Sequence, residues 1–379
     1  MDFALTSEQE MIRATAETFL ADASPSAAVR RAMETEIGFD ADVWNQVGKE
    51  FGWCAIAIPE TFGGLGLTII EQAILMEQMG RRLFCSPYFA TACLAVPALL
   101  EVGTAAAREG HLPSIAAGEI TATLAFGERG LDWDIDAVTA TATPVAGGYS
   151  ISGHFQHVPD GASAQLLLLP ARIVGRDQVS LFAIPAATQG ITTQPSMTID
   201  ATRRIAEVRL CELHAGENAI VSMPGNIGNG LARTSALAAI ALAAEQLGAA
   251  QQCLDMTLAY IAERRQFGRP ISSFQAVKHR CAEAMVRIEA ARSAVLGAAC
   301  AVAASPTTST LMLESACAKT MASDCLFHCA VEAVQLHGGV GFTWEYDPHL
   351  YLKRAQASGQ WLGNCDSLRE RVAAILLDR

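Results

Sequence analysis

Three groups of residues in this chain have the types and spacing to do chemistry. The first is Arg264-Arg265-Gln266-Phe267-Gly268-Arg269-Pro270, followed at once by Ile271-Ser272-Ser273-Phe274-Gln275. Arginine forks match phosphate and carboxylate oxygens in pairs, and most of the positive charge here is arginine; the only lysines are Lys49, Lys278, Lys319 and Lys353. The second is Gln335-Leu336-His337-Gly338-Gly339-Val340-Gly341-Phe342, where paired glycines end a helix and let the backbone come close to something flat or phosphorylated. The third is a single carboxylate, Glu245, inside the apolar tract Ser235–Ala250. In such a tract it is either a desolvated general base or a structural partner for an arginine, and the structural role is the favoured one. The other two groups also have plain readings, a basic inter-helix loop and a helix C-cap.

The elements that position these groups can be read from periodicity. Residues 1–118 read as helices: Thr6-Ser7-Glu8-Gln9-Glu10 is an N-cap with an acidic first turn, and Met11, Thr15, Phe19 and Leu20 follow at helical spacing. Further helices are expected near 69–80 and 88–109, after the glycine loop Gly63-Gly64-Leu65-Gly66. That loop follows Pro59-Glu60 and opens no strand-to-helix unit, so it is no dinucleotide fingerprint. Over 119–222 the texture becomes alternating, with short strands at 120–126, 138–143, 149–153, 166–170, 179–184 and 206–210 and a hairpin turn at Gly147-Gly148. An antiparallel β-domain is expected there. From 223 to 379 long alanine-rich runs, 229–263 and 274–302 among them, predict an antiparallel bundle of long helices. The fold class is therefore α+β in three domains, helical, β and helical.

Bulk properties exclude several functions. The chain has 379 residues, 51% of them hydrophobic and 17% charged, which suits a packed multidomain protein and not a disordered one. A net charge of −12, from 27 basic and 39 acidic residues, argues against nucleic acid as a partner. The first residues show neither a basic nor an apolar leader region, and apolar runs such as Ala236–Ala244 are too short to span a bilayer, so a cytoplasmic protein is expected. The eleven cysteines form no C-x-x-C pair and read as buried thiols; no metal site is expected at Cys325, His328 and Cys329, since no second ligand cluster follows.

The Arg-x-x-Phe-Gly-x-Pro-hydrophobic-x-x-Phe-Gln string at 264–275 and the Gln-x-x-Gly-Gly-x-Gly-Phe string at 335–342 resemble the acyl-CoA dehydrogenase family. The Pro59-Glu60…Gly63-Gly64-Leu65-Gly66 loop and the α-β-α order match it too, so the resemblance covers essentially the whole chain. It implies an FAD-dependent enzyme of the EC 1.3 type that desaturates an acyl-CoA between its α and β carbons. A carboxylate base removes the α-proton while the β-hydrogen leaves as hydride to the flavin. It further implies that Arg264, Gln266, Phe267, Gln275, Gln335, Gly338 and Gly339 hold FAD across a subunit interface, and that His157 and Asn364 lie at the cofactor. The implied partners are acyl-CoA, an electron-transferring flavoprotein or similar acceptor, and related chains in a homo- or hetero-tetramer.

Two departures stand against an ordinary member. The family's base lies in a Tyr-Glu-Gly-Thr string; the corresponding residues are Trp361-Leu362-Gly363-Asn364, with Leu362 in the glutamate's place. Some relatives carry the base on the first long helix of the bundle instead, and that position is Ala238. Glu245 lies two turns further on, about 10 Å along the same face. On the flavin-facing strand, Gly153-His154-Phe155-Gln156-His157-Val158-Pro159-Asp160-Gly161 puts His157 and Pro159 where the family has tryptophan and threonine. The preceding loop is degraded to Ala125-Phe126-Gly127-Glu128-Arg129-Gly130. The pattern resembles a chain of the family's α2β2 assemblies, in which a partner completes the site; such assemblies take bulky thioesters, including steroid side-chain intermediates. A non-catalytic subunit, and a flavin oxidase or monooxygenase of the same fold, are the alternative readings.

Overall fold

A computed structural model describes residues 5–125, 135–176, 178–223, 227–304 and 307–377. Among these the α-helices are α1 Ser7–Ala23, α2 Ser26–Glu34, α3 Ala41–Asn45, α4 Ile69–Arg81, α5 Val96–Val102, α6 Ala105–Ala116, α7 Ile227–Glu263, α8 Gln275–Ala303, α9 Thr308–His337, α10 Pro348–Gln360 and α11 Cys365–Leu377. The strands are β1 Ala122–Leu124, β2 Thr141–Val145, β3 Gly148–Pro159, β4 Leu166–Ile173, β5 Val179–Pro185, β6 Ile191–Pro195 and β7 Ile205–Gly216. The chain forms two compact units, one of residues 1–31, 69–84 and 239–379, the other of residues 32–68 and 85–238.

The first unit is helical. α1 starts at a capping box, Thr6 Oγ1 accepting from the Gln9 amide at 3.2 Å while Gln9 Oε1 accepts from the Thr6 amide at 3.0 Å, which satisfies donors the first turn leaves open. α8 and α9 run antiparallel through a short connection, and α10 and α11 pack on α9. Their mutual faces are small: Ala284, Ala291, Ala298, Ala299, Ala318, Ala322, Ala330 and Ala333 are buried. Alanine keeps full helix propensity while letting axes approach, so length replaces side-chain bulk as the source of buried area. α7 is long and apolar enough to cross a membrane by length and composition. Yet 67% of its most apolar window is buried in the protein, the pattern of a core helix.

The second unit is built on a seven-stranded sheet. β2, β3, β7 and β6 pair antiparallel in that order, and β5 pairs antiparallel with β4. β1 and β2 both run parallel to β4, so the sheet is mixed and not wholly antiparallel. The parallel pairings need crossovers that short-range alternation cannot reveal. The strand β6 was not expected; its half-exposed Ile-Thr-Thr-Gln-Pro carries little hydrophobic signal. The sheet core is Phe155, Leu167, Leu169, Phe182, Val208, Leu210 and Leu213. The expected run 88–109 is not one helix: Phe89–Ala95 is a π-helical stretch, and Gly103 separates α5 from α6.

Candidate cofactor and catalytic site

α7 ends at Glu263, and the Arg264 amide donates back to the Tyr260 carbonyl at 2.9 Å. The chain then folds into a hairpin, Arg265–Gln266 pairing with Arg269–Pro270, and the Ile271 amide donates to the Arg264 carbonyl at 2.8 Å. The two turn residues, Phe267 and Gly268, are both left-handed, with φ of 53° and 78°. That is the primed geometry a two-residue hairpin requires. Glycine accepts it freely, whereas phenylalanine there costs about 1–2 kcal/mol. The Phe267 ring is 91% exposed, so no burial of its own offsets that cost. Its ring meets the edge of Phe274 at 6.1 Å, and the Arg269 guanidinium lies 4.0 Å over the Phe274 ring. Arg264, Gln266, Gln275 and Gln335 are exposed, and their side chains make no hydrogen bond among the described residues. A strained, exposed aromatic beside unspent polar groups is built to meet something outside the chain.

The glycine string completes this surface. α9 stops at Gly338, whose φ of 66° is a glycine conformation and whose amide donates to the Gln335 carbonyl. A Cβ placed on Gly338 or Gly339 would meet nothing within 4 Å. Gly339 is thus not needed for packing within the chain, and the bare backbone faces open space. At Gly341, by contrast, a Cβ would come within 2.6 Å of the Val334 carbonyl oxygen, so glycine is required there by packing. His337 ties the two strings together: its ring stacks on Tyr260, centroids 4.3 Å apart, and Tyr346 edges onto both. Burial holds His337 below the usual histidine range, and its Nδ1–H donates to the Ala333 carbonyl at 2.7 Å. Burial thus disfavours the charged ring, and the bond to the carbonyl selects the tautomer with its proton on Nδ1.

At the two positions where the family resemblance leads one to expect a base, the side chains are hydrocarbon. Leu362 is buried and left-handed at φ 60°, and Gly363 follows at φ 100°. Ala238 is fully buried. Glu245 is 2% exposed, and its Oε1 accepts from Arg354 Nη1 at 2.6 Å, with Arg354 1% exposed. Arg354 was not singled out from the sequence. The signal was available: it falls among Leu350, Tyr351, Ala355 and Ser358 on the buried face of α10, and an arginine there demands an anion. Asn364 is exposed and caps α11, its Oδ1 accepting from the Ser367 amide at 2.9 Å, which leaves its amide NH₂ for another partner.

In the second unit His157 sits at a bulge of β3, where the register against β7 shifts between Phe155 and Val158. It is exposed and left-handed at φ 59°. Pro159 is buried at the strand's end, and its carbonyl accepts from Thr123 Oγ1 at 2.7 Å. Proline has no N–H, and this carbonyl already has a partner. The degraded loop residues 126–130 lie outside the described residues.

The donor set fits FAD at its adenosine diphosphate end. Arg264 suits the phosphates, the bare Gly338-Gly339 backbone allows close approach, and Phe267 offers a flat apolar face. A helical unit carrying such a cradle has the features of a protein that binds a dinucleotide cofactor. The comparisons narrow this. The acyl-CoA dehydrogenase N-terminal domain matches residues 6–119 and the C-terminal domain residues 232–377. The acyl-CoA dehydrogenase IpdE2 of Mycolicibacterium smegmatis is 35% identical over 361 residues, 95% of this chain and 96% of that one. Among solved structures, the ChsE4-ChsE5 complex from Mycobacterium tuberculosis aligns over 100% of both chains with TM-score 0.88 and 25% identity. A Tcur3481-Tcur3483 steroid ACAD aligns over 98% of both with TM-score 0.86 and 29% identity. The chain belongs to the acyl-CoA dehydrogenase family, whose members are oxidoreductases with FAD as cofactor.

Proposed function

We propose that this chain is one subunit of a tetrameric acyl-CoA dehydrogenase in which a related partner chain supplies the α-proton base. The observation that carries this is the triple loss of a free carboxylate: Leu362 and Ala238 stand at the two base positions, and Glu245 is engaged by Arg354. The comparison with a ChsE4-ChsE5 complex, named for two different chains, supports a heteromeric assembly. That with a steroid ACAD supports a bulky thioester such as a steroid side-chain intermediate, over a simple fatty acyl-CoA.

In this reading Arg264, Gln266 and Gln275 bind the diphosphate and ribose of FAD, Phe267 covers the adenine, and Gln335, Gly338 and Gly339 close the other side. Asn364 and His157 stand nearer the ring. FAD, when bound, accepts the β-hydrogen as the acyl chain is desaturated. The chain's own residues position and exclude water: Leu362 and the Trp361 indole are buried, and neither can take up a proton. The three segments 1–118, 119–222 and 223–379 serve as separate domains, the enzyme works in the cytoplasm, and an electron-transferring flavoprotein takes the electrons. His157 and Pro159 favour one other reading, a subunit that only completes the partner's FAD site.

Expression of the chain alone and with a candidate partner, followed by flavin absorbance and its bleaching by acyl-CoA, tests this. The lone chain is expected to show no bleaching and the pair full bleaching. Stoichiometric FAD and bleaching in the lone chain overturn the shared-site reading. In an active pair, an unchanged rate for Glu245→Gln removes Glu245 as base, and Arg264→Ala in this chain is expected to lower FAD retention.

A further inference from the structure

A charged amine sits in the helical unit where the neighbouring residues are small and buried. Lys319 lies on α9 among Ser315, Ala316, Ala318, Ala322 and Ser323, and is fully buried itself. Its Nζ donates to Ser323 Oγ at 2.7 Å and to the Ser358 carbonyl at 3.1 Å. Ser323 Oγ donates onward to Gln246 Oε1 at 3.0 Å, and Gln246 Nε2 donates to Ser358 Oγ at 2.9 Å. Four residues on α7, α9 and α10 thus close a ring through the Ser358 backbone and side chain, and all four are buried.

Such a ring is expensive. Burial pulls the Lys319 ammonium down to about 8, against Cys365 and Asp324, which hold it up. A well-packed apolar side chain does as well for stability in many such sites, so stability alone gives no reason for a lysine. What an apolar residue cannot do is hold a carbonyl. Ser358 belongs to the last turn of α10, where a cation meets the negative end of the helix. The same carbonyl accepts from the Trp361 amide at 3.3 Å, the first residue past the helix. Leu362 and Gly363 then turn left-handed, and Asn364 caps α11. A leucine held in that conformation is strained, so this connection keeps its shape only if its near end is anchored.

We propose that Lys319 is a positioning residue for the cofactor: by gripping the Ser358 carbonyl it fixes the Trp361–Asn364 connection, and so presents Asn364 to FAD. The cofactor half of this rests on the FAD reading above; the anchoring half does not.

The test compares full-length Lys319→Met, the milder Ser323→Ala, and Leu326→Ala as a plain core destabiliser on the same helix. Two readouts are taken, amide exchange of Trp361–Asn364 without cofactor, and FAD affinity of the chain assembled with its partner by flavin fluorescence quenching. Lys319→Met is expected to speed exchange in this segment at least about tenfold more than Leu326→Ala does, with sheet amides such as those of Leu167–Leu169 unchanged. FAD affinity is expected to fall about tenfold in parallel. If Lys319→Met fails to fold, Ser323→Ala is expected to give the same segment-specific pattern at a few-fold. Exchange that is unchanged, or raised no more than in Leu326→Ala, overturns the anchoring role. A normal exchange response with unaltered FAD affinity overturns the cofactor half. A wild-type chain, alone and with its partner, that binds no FAD while its segment responds overturns the FAD reading and leaves the anchor standing.

Discussion

The imidazole of His337 lies on the phenol of Tyr260, the ring planes 20° apart and the centroids at 4.3 Å. Tyr260 is in the last turn of α7, whose carbonyl receives the Arg264 amide; His337 is the last residue of α9 before Gly338. One stacked pair therefore registers two strings that are more than sixty residues apart in sequence, and under the proposed FAD reading the grip on the cofactor depends on it. Aromatic pairs contribute about 0.5–1.5 kcal/mol beyond their buried area. His337→Ala is expected to weaken FAD binding about three- to tenfold, read by fluorescence titration, while His337→Phe stays within about twofold. Equal losses in both variants would show that the stack does not matter.

Phe267 sets function against stability. Its left-handed backbone is strained and its ring is 91% exposed, so the folded chain gains little from it. Phe267→Gly is expected to raise stability by up to about 1 kcal/mol, or leave it unchanged, in denaturant unfolding. The same variant is expected to bind FAD about tenfold more weakly, because the flat apolar face is gone. A variant that is destabilised and binds normally assigns the ring to the hairpin's own fold.

The Glu245–Arg354 pair is the third test. Both groups are almost fully buried, so removing either leaves an uncompensated charge. Glu245→Leu and Arg354→Leu are each expected to cost about 3–5 kcal/mol, and the double variant far less than their sum. Denaturant unfolding of the three variants and the parent closes the cycle. Additive losses would mean that the two side chains do not act as a pair.

These positions also show what could be read from the chain beforehand. The bundle was legible because its alanine-rich helices are long and bounded by Gly268, Pro270 and Gly338, each a local stop signal. The strand edges were less so: β3 runs through to Pro159 because a bulge at His157 lets the pairing continue, and a bulge leaves no periodic trace. Glu245 was visible as a carboxylate in an apolar tract, but its partner lies over a hundred residues away on α10, and nothing local names it. Lys319 carries the same lesson. A buried lysine looks like an exposed one in sequence, and only the crossing of α7, α9 and α10 shows which it is.

Burial of thiols makes the fold sensitive to alkali, and Cys54 gives the measurable case. It is 2% exposed, and burial pushes its thiol from about 9 in the unfolded chain up to about 12. Between those values the unfolded chain releases a proton that the folded chain keeps. The stability from this thiol is whole below about pH 9 and is lost as pH rises toward 12, at about 1.4 kcal/mol per pH unit. Cys253 and Cys329 are raised as well, the first by burial and the second chiefly by its contact with Cys325, so they act in the same direction. Cys54→Ala leaves a residue of similar size in the core with nothing to ionise. Unfolding free energy followed from about pH 8 to pH 10.5 is expected to fall less steeply in this variant, the two curves separating by about 2 kcal/mol at the upper end. Parallel curves would mean that Cys54 is as free to ionise in the folded chain as in the unfolded one.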